Sequence, residues 1–156
     1  MSIGMLLLGA VLGTLAMTTL MSASQWLGFS RMSIPFMLGA LATDHRDRAM
    51  PIGFAIHVVN GLSFSFLYYA IFAALGPSWW LGLVVGAAHF LVVGLVILPL
   101  LPGIHPRMAS ERHGPTPTKQ LEPPGFFGLN YGTRTPLVGL LAHLLYGFTL
   151  GFFCEM

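Results

Sequence analysis

Residues 79–101 read WWLGLVVGAAHFLVVGLVILPLL, 23 consecutive residues without an Asp, Glu, Lys or Arg. A bilayer's hydrocarbon core takes roughly 20 apolar residues of α-helix to cross, so this stretch predicts a membrane-spanning helix. Three further segments, 5–28, 52–75 and 136–153, are predominantly apolar and equally free of those four residues. The sequence therefore predicts an all-α polytopic membrane protein, a single domain (1–156) built as a four-helix transmembrane bundle. Gly76-Pro77-Ser78 is a tight break, which makes a hairpin of the second and third spans. Pro51 and Pro136 read as helix starts, where a missing N–H costs nothing.

Composition points the same way. The chain is 55% hydrophobic and 8% charged, against about a quarter charged in soluble domains, and its mean hydropathy is +0.78. A net charge of +2 is too small to suggest nucleic acid, so the expected partner is the lipid bilayer. The lone cysteine, Cys154, cannot form an internal disulfide and reads as a small apolar residue at a helix end. No Lys or Arg precedes Arg31. The first segment thus lacks the basic n-region of a signal peptide and is expected to be a retained helix.

The seven basic residues set the expected orientation. Arg31, Arg46 and Arg48 lie between spans one and two; Arg107, Arg112, Lys119 and Arg134 lie between spans three and four. Four spans put both loops on one side. Lys and Arg resist translocation, so loops 29–51 and 102–135 are expected in the cytoplasm and both termini outside the plasma membrane. Trp79 and Trp80 then fall at the outer interface.

Small residues recur at helical spacing. Span one holds Gly9-x-x-x-Gly13 and span three Gly82-x-x-x-Gly86; span two holds His57-x-x-x-Gly61-x-x-x-Ser65 and span four His143-x-x-x-Gly147-x-x-x-Gly151. Positions i, i+4 and i+8 share a helix face, and small residues let helix backbones meet closely in lipid. These eight small residues are the candidate packing positions. Their pairing suggests an internal repeat of two helix hairpins, 1–75 and 79–156.

The stretch Pro124-Gly125-Phe126-Phe127-Gly128-Leu129-Asn130-Tyr131-Gly132, followed by Ala142-His143-Leu144-Leu145-Tyr146-Gly147, resembles a family of small bacterial integral membrane proteins of unknown function. The similarity extends to Arg31-Met32, His57…Gly61 and His89. The resemblance implies four membrane helices in the bacterial inner membrane and carries over no catalytic residue.

The intramembrane polar residues are the candidate site. His57 and His143 lie at similar depths on the side of the basic loops, and His89 is near the middle of its span. Thr18, Ser22, Gln25, Asn60 and Tyr146 share that half. Polar side chains in hydrocarbon are costly unless paired, so these are expected to point into the bundle. The packing reading has them hydrogen-bonding helix to helix. The cofactor reading has His57, His89 and His143 holding a haem, a pigment or a metal ion; no span carries a paired-ligand spacing such as H-x-x-x-H. Met17 and Met21, one turn apart, would suit Cu(I), although Met commonly fills apolar gaps. Asp44, His45 and Asp47 could take a divalent ion, or belong to a solvated loop whose arginines meet anionic headgroups. Segment 34–41, opened by Ser33 and Pro35, is too short to span and reads as interfacial or re-entrant. Loop 102–135, with six of the eleven prolines, reads as irregular, with Phe126, Phe127 and Tyr131 dipping into the interface.

No P-loop, GxGxxG, GxSxG or CxxC motif occurs, which argues against nucleotide binding and common hydrolase chemistry and leaves an unfamiliar active site open. The expected function is a non-enzymatic helix-packing or accessory subunit, in a homo-oligomer or larger membrane complex, with no cofactor predicted. The alternatives are the histidine-based cofactor site and a small proton, ion or solute pathway.

Overall fold

The structure, a computed structural model, describes residues 2–110 and 121–156; Arg112 and Lys119 lie outside the described residues. Among the described residues four helices are long and apolar enough to cross a membrane: Ile3–Trp26, Arg46–Leu75, Trp79–Ile104 and Thr135–Glu155. The first is α1. A short helix, α2 (Ile34–Ala42), precedes α3 (Arg46–Leu75). The third span runs on through α4 (Trp79–Val92), a π-helical turn (Val93–Ile97) and α5 (Leu98–Ile104), and the last span is α6 (Thr135–Glu155). The described residues contain no strand beyond an isolated bridge between Met108 and Leu121.

Two boundaries differ from expectation. Helix α3 starts at Arg46, six residues before the expected 52, so Pro51 lies inside it rather than at its start. The proline removes one helix bond, and packing against α2 holds the extra turns. A Cβ at Gly39 would lie 1.7 Å from the Ala49 carbonyl oxygen, and one at Gly53 would lie 1.6 Å from that of Pro35. Only glycine allows that approach. The 34–41 segment is thus a helix laid along α3, capped by Ser33, whose Oγ accepts from the Phe36 N–H at 3.3 Å. The second difference is that the third span continues to Ile104, through Pro99 and Pro102. Pro99 cannot donate to residue 95 and crowds its carbonyl. The π turn immediately before it widens the helix, which lets the span go on.

The buried faces recur every four residues. Helix α1 buries Leu6, Ala10, Thr14 and Thr18 beside Gly9, Gly13, Met17 and Met21. Helix α6 buries Val138, Ala142, Tyr146, Leu150 and Cys154 beside Gly139, His143, Gly147 and Gly151. Such i±4 rows are the ridges that interlock helices. In the third span the row is Gly82, Gly86, Phe90, Gly94 and Leu98. A regular α-helix turns about 100° per residue and would carry this row about 40° round at each step; the π turn takes back part of that drift.

The seams close to different degrees. Between α4 and α6 the backbones touch: a Cβ at Gly82 would lie 2.1 Å from the Gly147 carbonyl oxygen, and the reverse distance is also 2.1 Å. Gly86 faces the His143 carbonyl and Gly151 that of Ser78. Between α1 and α6, Gly9 meets Phe153 and Gly13 meets Tyr146. Between α1 and α3, Gly61 meets the Thr14 side chain. Ser65 is fully buried and donates to its own helix at Leu62 O, 2.7 Å. The paired hairpins of the expected repeat are thus packed unlike each other, side chain against backbone in the first and backbone against backbone in the second. Helices α3 and α4, though joined by the short Gly76 turn, meet mainly through Phe64, Tyr68 and His89.

The loops gather at the end opposite the termini. Arg31 N–H donates to Tyr131 O at 2.8 Å, and Ser30 and Thr135 hydroxyls share a 2.9 Å bond. His105, buried, donates from Nε2 to Met37 O at 3.0 Å while its Nδ1 accepts from Arg107 N–H. Arg107 also reaches the Ala40 carbonyl. These bonds tie α2 to the end of α5.

Candidate functional site

The loop-side halves of α1, α3, α4 and α6, with α2 and Phe127, enclose a cavity of about 170 Å³. All three intramembrane histidines line it. So do Met17 and Met21, joined by Met32 and Met37, which sequence reasoning did not single out. All four methionines are buried. The rest of the wall is hydrocarbon and aromatic rings apart from the Asn60 amide and the backbone of Gly61 and Gly139, and no Asp, Glu, Lys or Arg contributes.

Each histidine is held by its Nδ1 edge. His143 Nδ1 lies 2.8 Å from Gly139 O, one turn back on α6. A carbonyl only accepts, so Nδ1 carries the proton. His57 Nδ1 lies 3.1 Å from Thr18 Oγ1, and that hydroxyl already donates to Thr14 O at 2.6 Å. Its hydrogen is committed, so it accepts from His57, whose Nδ1 is also protonated. The hydrogen-bond network thus assigns the same tautomer to both rings. In neutral imidazole the other nitrogen then presents a lone pair. His89 Nδ1 faces the Tyr68 hydroxyl at 3.3 Å, which suits either tautomer. Among the described residues no buried side-chain nitrogen or oxygen lacks a partner, and no protein group bonds the three Nε2 atoms, so these edges open onto the cavity.

The rings also pack on one another. His89 lies 4.9 Å edge-on from His143 and 4.3 Å from Phe64, centroid to centroid. Phe90 sits 5.3 Å from Phe127. Phe127 has φ 53° and ψ 17°, a left-handed backbone unusual without glycine. That turn aims its ring at the π turn, where a Cβ on Gly94 would fall 2.2 Å from Phe127 Cδ1. Phe126 beside it is 59% exposed, as an interfacial residue would be. The Gly-Phe-Phe-Gly run was the available signal for Phe127. Nothing in the sequence marked Met32, Met37 or Phe90 as neighbours of the histidines.

The cavity is open on one side. Asn60 and Phe64 on α3, His89 on α4 and Val93 at the start of the π turn are half-buried wall residues, and Ile97 is exposed. They border the seam where no glycine brings the two backbones together. By contrast Tyr146 locks the α3–α6 side, its hydroxyl donating to Gly61 O.

Among the described residues no three His, Cys, Asp or Glu side chains come close enough together to hold a metal ion. The three histidines share a cavity without forming such a group. Asp44 and His45 lie 3.8 Å apart and are largely exposed. A second pocket, of about 430 Å³, lies among Arg31, Arg46, Glu122 and Tyr131 at the loop end. The Tyr131 hydroxyl donates to Glu122 O at 2.7 Å. Burial, with the Glu122 carboxylate adding to it and Arg31 opposing, pushes its pKa up to about 12. The Arg31–Glu122 pair, 3.2 Å apart and exposed, contributes little to stability.

Compared with known proteins, the chain matches no family model, no curated sequence and no solved structure.

Proposed function

We propose that this chain binds a small lipid-soluble organic molecule within the membrane. The cavity of about 170 Å³ carries the reading. Packed interiors leave few voids larger than a water molecule, and this one lies in a bundle whose α4–α6 seam closes backbone on backbone. A dry apolar cavity of about 150 Å³ accepts benzene-sized guests, and methionine-rich walls adapt to what they hold. The half-buried α3–α4 border gives a guest a route from lipid. The glycine faces that suggested a partner helix are occupied inside the chain. A haem or pigment macrocycle needs a pocket in the range of roughly 300–1,000 Å³ that drug-sized ligands occupy, so a cavity of about 170 Å³ favours a smaller guest.

The test uses toluene and purified protein. Toluene at about 100 times its Kd should stabilise the wild type by about 2.7 kcal/mol. Val93→Phe, which fills the cavity, should lose that gain. The comparison removes effects of toluene on the detergent. Equal responses of the two proteins would sink the reading.

The methionines favour a second reading, a Cu(I) site in which thioethers join the imidazoles. Stoichiometric copper in the purified protein, lost in Met21→Leu, would select it.

The excess of basic residues in the two loops supports setting this cavity in the cytoplasmic half of the plasma membrane. A cysteine at Ser110 should then label from the cytoplasm only, and tags on both termini should be reached from outside. Labelling of Ser110→Cys in intact cells by an impermeant maleimide would reverse the orientation.

A further inference from the structure

We infer that the guest carries a phenolic hydroxyl, whose single proton it donates to the lone pair that His143 turns into the cavity, with that of His57 beside it. The inference rests on the cavity reading above. Both imidazoles present Nε2 as an acceptor, because Gly139 O and Thr18 Oγ1 hold their Nδ1 protons. No Lys or Arg reaches the cavity to donate to those lone pairs, the Asn60 amide on its wall is bonded to neither ring, and no carboxylate reaches it to stabilise a protonated ring. A purely apolar guest would leave both acceptors unsatisfied, and a hydroxyl donor removes the cost of one of them. A carboxylate or carbonyl compound, which only accepts, would set lone pair against lone pair.

The walls choose the rest of the molecule. Phe64, Phe90, Phe127 and Tyr146 present aromatic surface beside the histidines, which suits a planar ring in edge or offset contact. The volume suits one six-membered ring. The opening faces lipid, so the ring is either a free phenol or the head of a lipid-soluble hydroquinone whose chain leaves between α3 and α4.

The experiment compares phenol with toluene, which have the same shape and differ in OH against CH₃. Each is titrated against wild type and His143→Phe. The wild-type to variant ratio for one ligand cancels its partition into the micelle. Phenol should bind the wild type about tenfold tighter than the variant, and toluene about equally to both. In the wild type, the nitrogen-15 resonance of His143 Nε2 should move on adding phenol and stay still with toluene, a readout that survives if the variant does not fold. Toluene binding with a phenol ratio near one and a still resonance would overturn the inference and leave the cavity reading intact. Failure of both ligands to bind the wild type would overturn the cavity reading itself. A decyl-substituted hydroquinone that competes with phenol identifies the ring as a lipid head; phenol binding without that competition identifies a free phenol.

Discussion

Replacing Gly147 by leucine should lower the thermal unfolding midpoint by roughly 10 °C, a loss of about 3 kcal/mol. The space does not exist even for one methyl group: a Cβ there meets Gly82 O at 2.1 Å and Gly86 Cα at 3.1 Å. Both obstacles are backbone, so no rotamer change relieves them. The α4–α6 seam must open along its length, and in lipid no hydrophobic force draws the two helices back. Gly82→Leu should behave alike, and the double variant should cost less than the two single losses added, because one opened seam accommodates both. Val84→Leu, on the outward face of α4 at 56% exposure, is the control and should be neutral. Equal midpoints for Gly147→Leu and wild type in detergent would refute the backbone contact.

The second large effect is expected at Gly53. A Cβ at this position meets Pro35 O at 1.6 Å and Gly39 N at 2.5 Å. Gly53→Leu should push α2 away from α3 at a cost of about 3 kcal/mol. The loss is local. Ala40, 5% exposed on α2, becomes reachable, so a cysteine placed there should react with a thiol reagent many times faster in the Gly53→Leu background. Met37 and Ile34 leave the cavity wall with α2, so toluene stabilisation should fall as well. An unreactive Ala40→Cys in that background would show that α2 is held by something other than the glycine contact.

The four spans were legible because charge is excluded from hydrocarbon, a rule that needs no knowledge of neighbours. Helix faces were legible for a similar reason: Gly82, Gly86, Gly147 and Gly151 repeat at a spacing that puts them in line. Which face meets which was not, since spacing within one helix carries no record of its partner. The α2–α3 contact shows this best. Gly39 and Gly53 lie in different segments, and their mutual fit exists only once the chain turns back on itself. Pro51 misled for the opposite reason: a local rule about helix starts was overridden by tertiary packing that tolerates one missing bond. At the site, His57, His89 and His143 were visible as polar residues in apolar helices, and the structure brings them to one cavity. Their tautomers were not visible, because Thr18 and Gly139 fix them across and along helices. Phe127 reaches the cavity wall through a left-handed turn that no propensity predicts for phenylalanine.

The π turn has a consequence for the bookkeeping of chain length. It stores one surplus residue within Val93–Ile97, so the third span is a helix in two phases, one set for α6 and one for the loop end. Wound as ordinary helix with no residue lost, the same stretch would swing everything beyond it by about 100°. Leu98 would leave the core, and the anchor formed by His105 and Arg107 would turn away from Met37 and Ala40.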